Sequence, residues 1–149
     1  MTLQVYLSGE IHTDWREQII AAAGGLDVVF NAPVTKHAAS DVCGVAILGA
    51  EPDKFWHDHK GAKLNAIRTR KGIEEADVVV VRFGEKYKQW NAAFDAGYAA
   101  ALGKSLIILH PPEHSHAFKE VNAAALAAAE NPGQVAALLR YVLTGDLPA

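Results

Sequence analysis

A carboxylate, an amide and a phenol recur down one flank of the segment that begins at Trp90. Asn91, Asp95 and Tyr98 are four and three residues apart, and at about 100° per residue they share one side of a helix. If the start of that helix opens onto a crevice, Asp95 is a candidate for chemistry on a bound ligand; a solvated helix residue is the plain alternative. A second group, Tyr6, Ser8, Gly9, Glu10 and His12, is crowded into one short stretch near the start of the chain. Tyr6 reads equally well as a core aromatic, and Glu10 and His12 as exposed loop charges. The seven histidines invite a metal reading. Yet His57 and His59 in WHDHK are only a pair, with no second cluster at a fixed spacing from them. The run with His110, His114 and His116 lacks the fixed spacing of a zinc site, so no metal is expected. Neither a P-loop nor a GxGxxG fingerprint is present, and no cofactor is expected.

The elements that must position these residues are clearest between Ala76 and Pro111. Val78 to Val81 is an unbroken run of β-branched residues, the habit of a strand buried on both faces of a parallel sheet. From Trp90 the apolar residues Ala93, Phe94, Gly97, Tyr98, Ala101 and Leu102 fall on one helical stripe, ended by Gly103, and Leu106 to Leu109 is a second buried strand. Strand, helix and strand form a right-handed βαβ unit, in which loops leaving the carboxyl ends of the strands make the ligand crevice. Phe83 to Gln89 is that loop. Asp95 therefore stands at the crevice mouth.

Earlier in the chain, Leu3 to Leu7 reads as a strand. Asp14 and Glu17 have the spacing of an N-cap and its N3 carboxylate, before a helix carrying Trp15, Ile19, Ala22 and Ala23 and closed by Gly24 and Gly25. Val28 to Phe30 is a second strand. From Ala32 to Lys60 the signal weakens, which predicts a functional loop or lid with one short helix over Ser40 to Leu48. Lys63 to Ala76 reads as a helix carrying Arg68. After Pro112 the chain is rich in Ala; Asn131 and Pro132 open a last helix with Val135, Leu138, Leu139 and Val142 on its face, which assigns Ala123 to Ala128 to a fifth strand.

The 149 residues suit one domain, 1–149, and half of them are hydrophobic. A net charge of −3 argues against nucleic acid as the main partner, although a small nucleotide stays compatible. No apolar run approaches the roughly 20 residues that span a bilayer. With Cys43 alone, read as a buried small hydrophobe, nothing points to an oxidising compartment. The protein is expected in the cytoplasm.

Two stretches, FGEKYKQWNAAFDAGYAAALGK and VYLSGEIHTDWR, resemble the bacterial YtoQ family, itself similar to the nucleoside 2-deoxyribosyltransferases. Those enzymes carry a nucleophilic Glu in a pattern of Glu, apolar, Gly, any residue, Ala; the matching run here is Asp95, Ala96, Gly97, Tyr98, Ala99. The Asp, Gly and Thr that precede their Glu are replaced by Gln89, Asn91 and Ala92. The fold implied is a single flavodoxin-like or Rossmann-like α/β domain, three αβα layers with five mostly parallel strands.

The resemblance also implies a chemistry. Cleavage of an N-glycosidic bond passes through an oxocarbenium-like state that a carboxylate can capture as a glycosyl ester. Asp95 would be that nucleophile, on a 2-deoxyribonucleoside or a related nucleotide, with Tyr6 holding its orientation through the hydroxyl and Gly9 leaving room for a ring. Glu85, leaving the central strand beside the loop lysines Lys86 and Lys88, is the candidate proton donor to the leaving base. Ser8, Glu10 and His12 are candidates for substrate contact, Trp90 for stacking on the base and Asn91 for the sugar hydroxyls. Arg68 would suit a 5′-phosphate. A homo-oligomer is implied, since sites of this family are often completed by a neighbouring subunit. The alternative reading is a module that binds a nucleotide-like ligand without turning it over.

Overall fold

The computed structural model describes residues 1–85 and 89–149. Five strands, β1 (Leu3–Gly9), β2 (Val28–Asn31), β3 (Val78–Arg82), β4 (Ser105–Leu109) and β5 (Ala127–Ala129), form one sheet. All neighbouring pairs are parallel, in the order β2-β1-β3-β4-β5. Helices α1 (Trp15–Ala22) and α6 (Pro132–Thr144) cover one face. Helices α3 (Lys54–Glu75) and α4 (Trp90–Ala101) cover the other, with α2 (His37–Leu48) packed on α3 and the short α5 (Lys119–Ala124) beside α4.

Strand alternation builds the two cores. Leu3, Val5, Leu7, Val78 and Val80 point to the α1/α6 side, against Trp15, Ile19, Val135 and Leu139. Tyr6, Val79, Val81 and Ile108 point to the α3/α4 side. On that side α4 presents Ala92, Ala96 and Ala99, all buried, and these small side chains let the helix lie close to the sheet. Gly103 ends α4 with φ +73°, while the Gly103 and Lys104 amides donate to the Ala100 and Ala99 carbonyls, a Schellman closure.

Three expectations change. The segment 32–60 is not a long loop: α2 starts at His37 rather than Ser40, and α3 starts at Lys54, nine residues before the expected Lys63. The Asp53 side chain caps α3 by accepting from the Phe55 amide at 2.8 Å. The signal was weak because these turns pack helix on helix away from the sheet and leave Val42, Ile47, Phe55 and Trp56 exposed, blurring the apolar stripe. At α1, Asp14 holds the N-cap position but its carboxylate accepts from Gln18 Nε2 at 2.7 Å and caps no amide. In the Ala-rich run, Ala123 and Ala124 finish α5, the chain turns extended at Ala125, and only Ala127–Ala129 pair with β4. Alanine's helix preference prevails until the sheet edge takes the chain. Cys43 is half-buried, its Sγ 3.4 Å from the Ser40 carbonyl oxygen.

Candidate functional site

The carboxyl end of β1 supplies the floor. Tyr6 and Ser8, two residues apart, both face α3 and α4, and both are fully buried. Ser8 Oγ donates to Asp95 Oδ2 at 2.6 Å. Burial pushes the Asp95 carboxyl above the usual range, and the Ser8 bond holds it partly down. Ser8, rather than the expected Tyr6, thus orients Asp95. The Tyr6 ring packs against Gly72 of α3, where any Cβ would collide with it, and its hydroxyl has no hydrogen-bond partner among the described residues. Thr69 stands near that hydroxyl without bonding geometry; burial raises the Tyr6 pKa and the charge of Asp95 adds to the rise.

The loop after β1 is organised by Glu10, which is 4 % exposed. Its carboxylate accepts from the His12 amide, from the Thr13 amide at 2.8 Å and hydroxyl at 2.5 Å, and from Arg82 Nη1 at 2.9 Å. Burial alone would raise its pKa; the Thr13 hydroxyl, the two amides and Arg82 outweigh that and leave it below the usual range. Glu10 is therefore a structural anion with its acceptors already engaged. The sequence reading missed Arg16, buried on α1. It donates to the carbonyls of Leu7 at 2.9 Å, Glu10 at 2.7 Å and Gly9 at 3.2 Å, and burial lowers its pKa to about 10. A basic residue in the first turn of an amphipathic helix gives no sign of pointing inward. Gly9 has φ +109° and sits where a Cβ would strike the Arg82 carbonyl, so β1 can approach β3 this closely only because it is glycine.

Asp95 lies on the wall between two hollows. One, of about 300 Å³, is lined by Gly9, Glu10, His12, Trp90, Asn91 and Asp95, which brings six of the expected residues together. The other, of about 440 Å³, runs between α3 and α4 past Asn65, Thr69, Arg70, Phe94 and Tyr98. Ser40, Asn91 and Asp95 belong to both. Asn65 Nδ2 fixes Ser40, donating to its carbonyl at 3.1 Å and to its hydroxyl at 3.0 Å. Ala62, Asn65, Ala66 and Thr69 fall on one helical stripe, a signal that was present in the sequence but read only as part of a helix.

Two expected residues are not brought to Asp95. Glu85 is exposed and lines a separate hollow of about 390 Å³ on the α1/α6 side, with Asp14, Arg82 and His110. Just before it, the Gly84 backbone packs over Glu10 so closely that a Cβ would sit 2.7 Å from Glu10 Cγ, and Glu85 follows on the α1/α6 side. Lys86 and Lys88 lie outside the described residues. Arg68 Nε donates to the Ala32 carbonyl at 3.2 Å and lines neither hollow beside Asp95. Among the described residues, no three His, Cys, Asp or Glu side chains come together as a metal would require.

A family model described as nucleoside 2-deoxyribosyltransferase YtoQ matches residues 6–143. The uncharacterized protein YtoQ of Bacillus subtilis (strain 168) is 41 % identical over 144 residues, 95 % of this chain and 97 % of that one. Among solved structures, a 2-deoxyribosyltransferase from Bacillus psychrosaccharolyticus is similar with a TM-score of 0.56 at 15 % identity, over 89 % of this chain and 90 % of the other. A conserved protein from Enterococcus faecalis V583 gives 0.65 at 11 % identity, over 96 % and 100 %. These two likenesses bear on fold and agree with the parallel sheet described above. With the family model spanning nearly the whole chain and a relative at that identity, the chain belongs to the nucleoside 2-deoxyribosyltransferase YtoQ family.

Proposed function

We propose that the protein cleaves the N-glycosidic bond of a 2-deoxyribonucleoside or nucleotide, with Asp95 as nucleophile. An Asp95 carboxylate oxygen forms a bond to C1′ as the bond from C1′ to the base nitrogen breaks. The electron pair leaves with the base, which takes up a proton. The glycosyl ester is then opened by water, or by the nitrogen of a second base, restoring the carboxylate. The observation that carries this reading is the hydrogen bond from buried Ser8 to Asp95, on the wall shared by two hollows. It fixes one carboxylate oxygen and leaves the other for attack.

With Glu85 on the other side of the sheet edge, we assign the proton for the leaving nitrogen to His12, which lines the smaller hollow. Incubation with 2-deoxyribonucleosides and their 5′-monophosphates, with and without a free base, should release or exchange the base, and Asp95→Ala should abolish it. Ligand-induced stabilisation with no product from any of these would instead favour the non-catalytic binding module, which the residues at Gln89, Asn91 and Ala92 also suit.

A homo-oligomer belongs to the same reading. Its support is the set of exposed aromatics beside the hollows, Trp90 at 75 % and Phe94 at 66 %, with Phe55 and Trp56 on the neighbouring hairpin.

A further inference from the structure

The larger hollow contains a cation with nothing to hold. Arg70 lines it, and among the described residues Arg70 makes no hydrogen bond or ion pair; its one electrostatic neighbour is the Tyr98 hydroxyl, whose proton goes to Glu74. Among the described residues, no other Lys or Arg lines either of the hollows that meet at Asp95. Arg68, the expected anion ligand, is spent on the Ala32 carbonyl, and two positions along a helix turn Arg70 to the opposite side.

The helices set Arg70 at the height of the nucleophile. In a right-handed parallel sheet α3 and α4 both run against the strands, so they are parallel to each other. The Tyr98 hydroxyl donates to Glu74 at 2.7 Å, which places those two residues side by side. Arg70 is four residues before Glu74 and Asp95 three before Tyr98, so both lie about one turn back. The other charges lining the hollow stand at its far end. Asp58 is twelve residues before Arg70, about 18 Å along α3. Asp41 lies across from Gly61, nine residues before Arg70 and about 14 Å away by the same rise. Each has its own partner: Lys54 at 2.6 Å from Asp58 and His37 at 3.0 Å from Asp41. With the base in the smaller hollow beside His12, an unengaged guanidinium in the larger hollow at the height of the nucleophile matches an anionic group on the far side of the sugar.

We infer that Arg70 takes the 5′-phosphate of the substrate, making the preferred substrate a nucleoside monophosphate rather than a neutral nucleoside. This rests on Asp95 being the carboxylate that faces C1′. The 5′ substituent hangs from C4′, across the sugar ring from C1′, so its phosphate stands one ring's width from Asp95. A guanidinium fork fits a phosphate monoester in a bidentate manner.

The test compares kcat/KM for a 2-deoxyribonucleoside and its 5′-monophosphate in the wild type and in Arg70→Gln. The wild type should prefer the monophosphate by about 10- to 100-fold, the range of a charge-assisted contact, and the variant should lose most of that ratio. Arg70→Lys should keep part of it. An equal rate on both substrates, or a ratio unchanged in Arg70→Gln, overturns the inference. If neither substrate is turned over, the nucleophile reading fails, and Arg70 is judged by binding. Thermal stabilisation of Asp95→Asn protein by the monophosphate should then exceed that by the nucleoside, with the excess gone once Arg70→Gln is added. Equal stabilisation by both ligands overturns it.

Discussion

Asp95 and Glu10 are both carboxylates at the same sheet edge, yet their surroundings push them in opposite directions. Asp95 is half-buried with one neutral donor, and desolvation lifts its folded-state pKa above the ordinary 3.8. A folded state that holds its proton more tightly loses stability as pH rises through the window above 3.8, and carries that penalty at neutral pH. Asp95→Asn should therefore melt higher than the wild type at pH 7, with the gain vanishing below about pH 3.8, while activity falls by about 10³-fold or more. A melting temperature at pH 7 below that of the wild type would contradict this. Glu10 has the reverse sign: its depressed pKa contributes stability that is present above 4.5 and lost as pH falls through the folded value. Glu10→Gln should cost about 2–4 kcal/mol in denaturant titration at pH 7, because Arg82 and two loop amides lose a charged acceptor. Asp95 was legible from helical spacing. Its partner Ser8 was legible only as one of the polar residues following the apolar run Leu3 to Leu7, since a contact across 87 positions leaves no local periodicity.

At the scale of elements, the α2/α3 hairpin makes one wall of the site and depends on two glycines. A Cβ on Gly44 would lie 2.5 Å from backbone atoms of Lys60 and Gly61, and neither can move aside without separating the helices. Gly44→Ala should cost about 1–3 kcal/mol. Because α2 carries Ser40 into both hollows, KM should rise more than kcat falls. Melting curves and steady-state kinetics check the pair of effects; a stability loss with KM unchanged would separate the hairpin from the site. The βαβ unit around β3 and α4 was readable because its strands are buried on both faces and α4 shows its core a strip of Ala. The hairpin was not, because helices packed on each other away from the sheet need no clean apolar stripe, and the close Gly44 to Gly61 approach is a relation between segments. Glu85 was misplaced for a similar reason: the preceding Gly84 packs on Glu10, a contact between segments far apart in sequence.

For the molecule as a whole, the parallel sheet in the order β2-β1-β3-β4-β5 puts the strand-order reversal at the carboxyl ends of β1 and β3, where Ser8, Gly9, Glu10 and Arg82 gather. The parallel αβα architecture was readable from the alternation of buried strands and helices, whereas the strand order is a relation between segments that local periodicity does not carry. No helix among the described residues is long and apolar enough to cross a membrane. The exposed aromatics beside the hollows lead us to expect a particle larger than the 16.0 kDa chain in light scattering after size exclusion, and Trp90→Ser should weaken it. A monomeric particle would remove the neighbouring subunit from the account.

The central claim, that Asp95 attacks C1′, is tested most directly by mass spectrometry of protein quenched during turnover of a 2-deoxyribonucleoside or its 5′-monophosphate. The account predicts an added deoxyribosyl group, or its phosphate, on the peptide containing Asp95, absent in Asp95→Ala. Undiminished turnover by Asp95→Ala, or a sugar adduct on another residue, would contradict it.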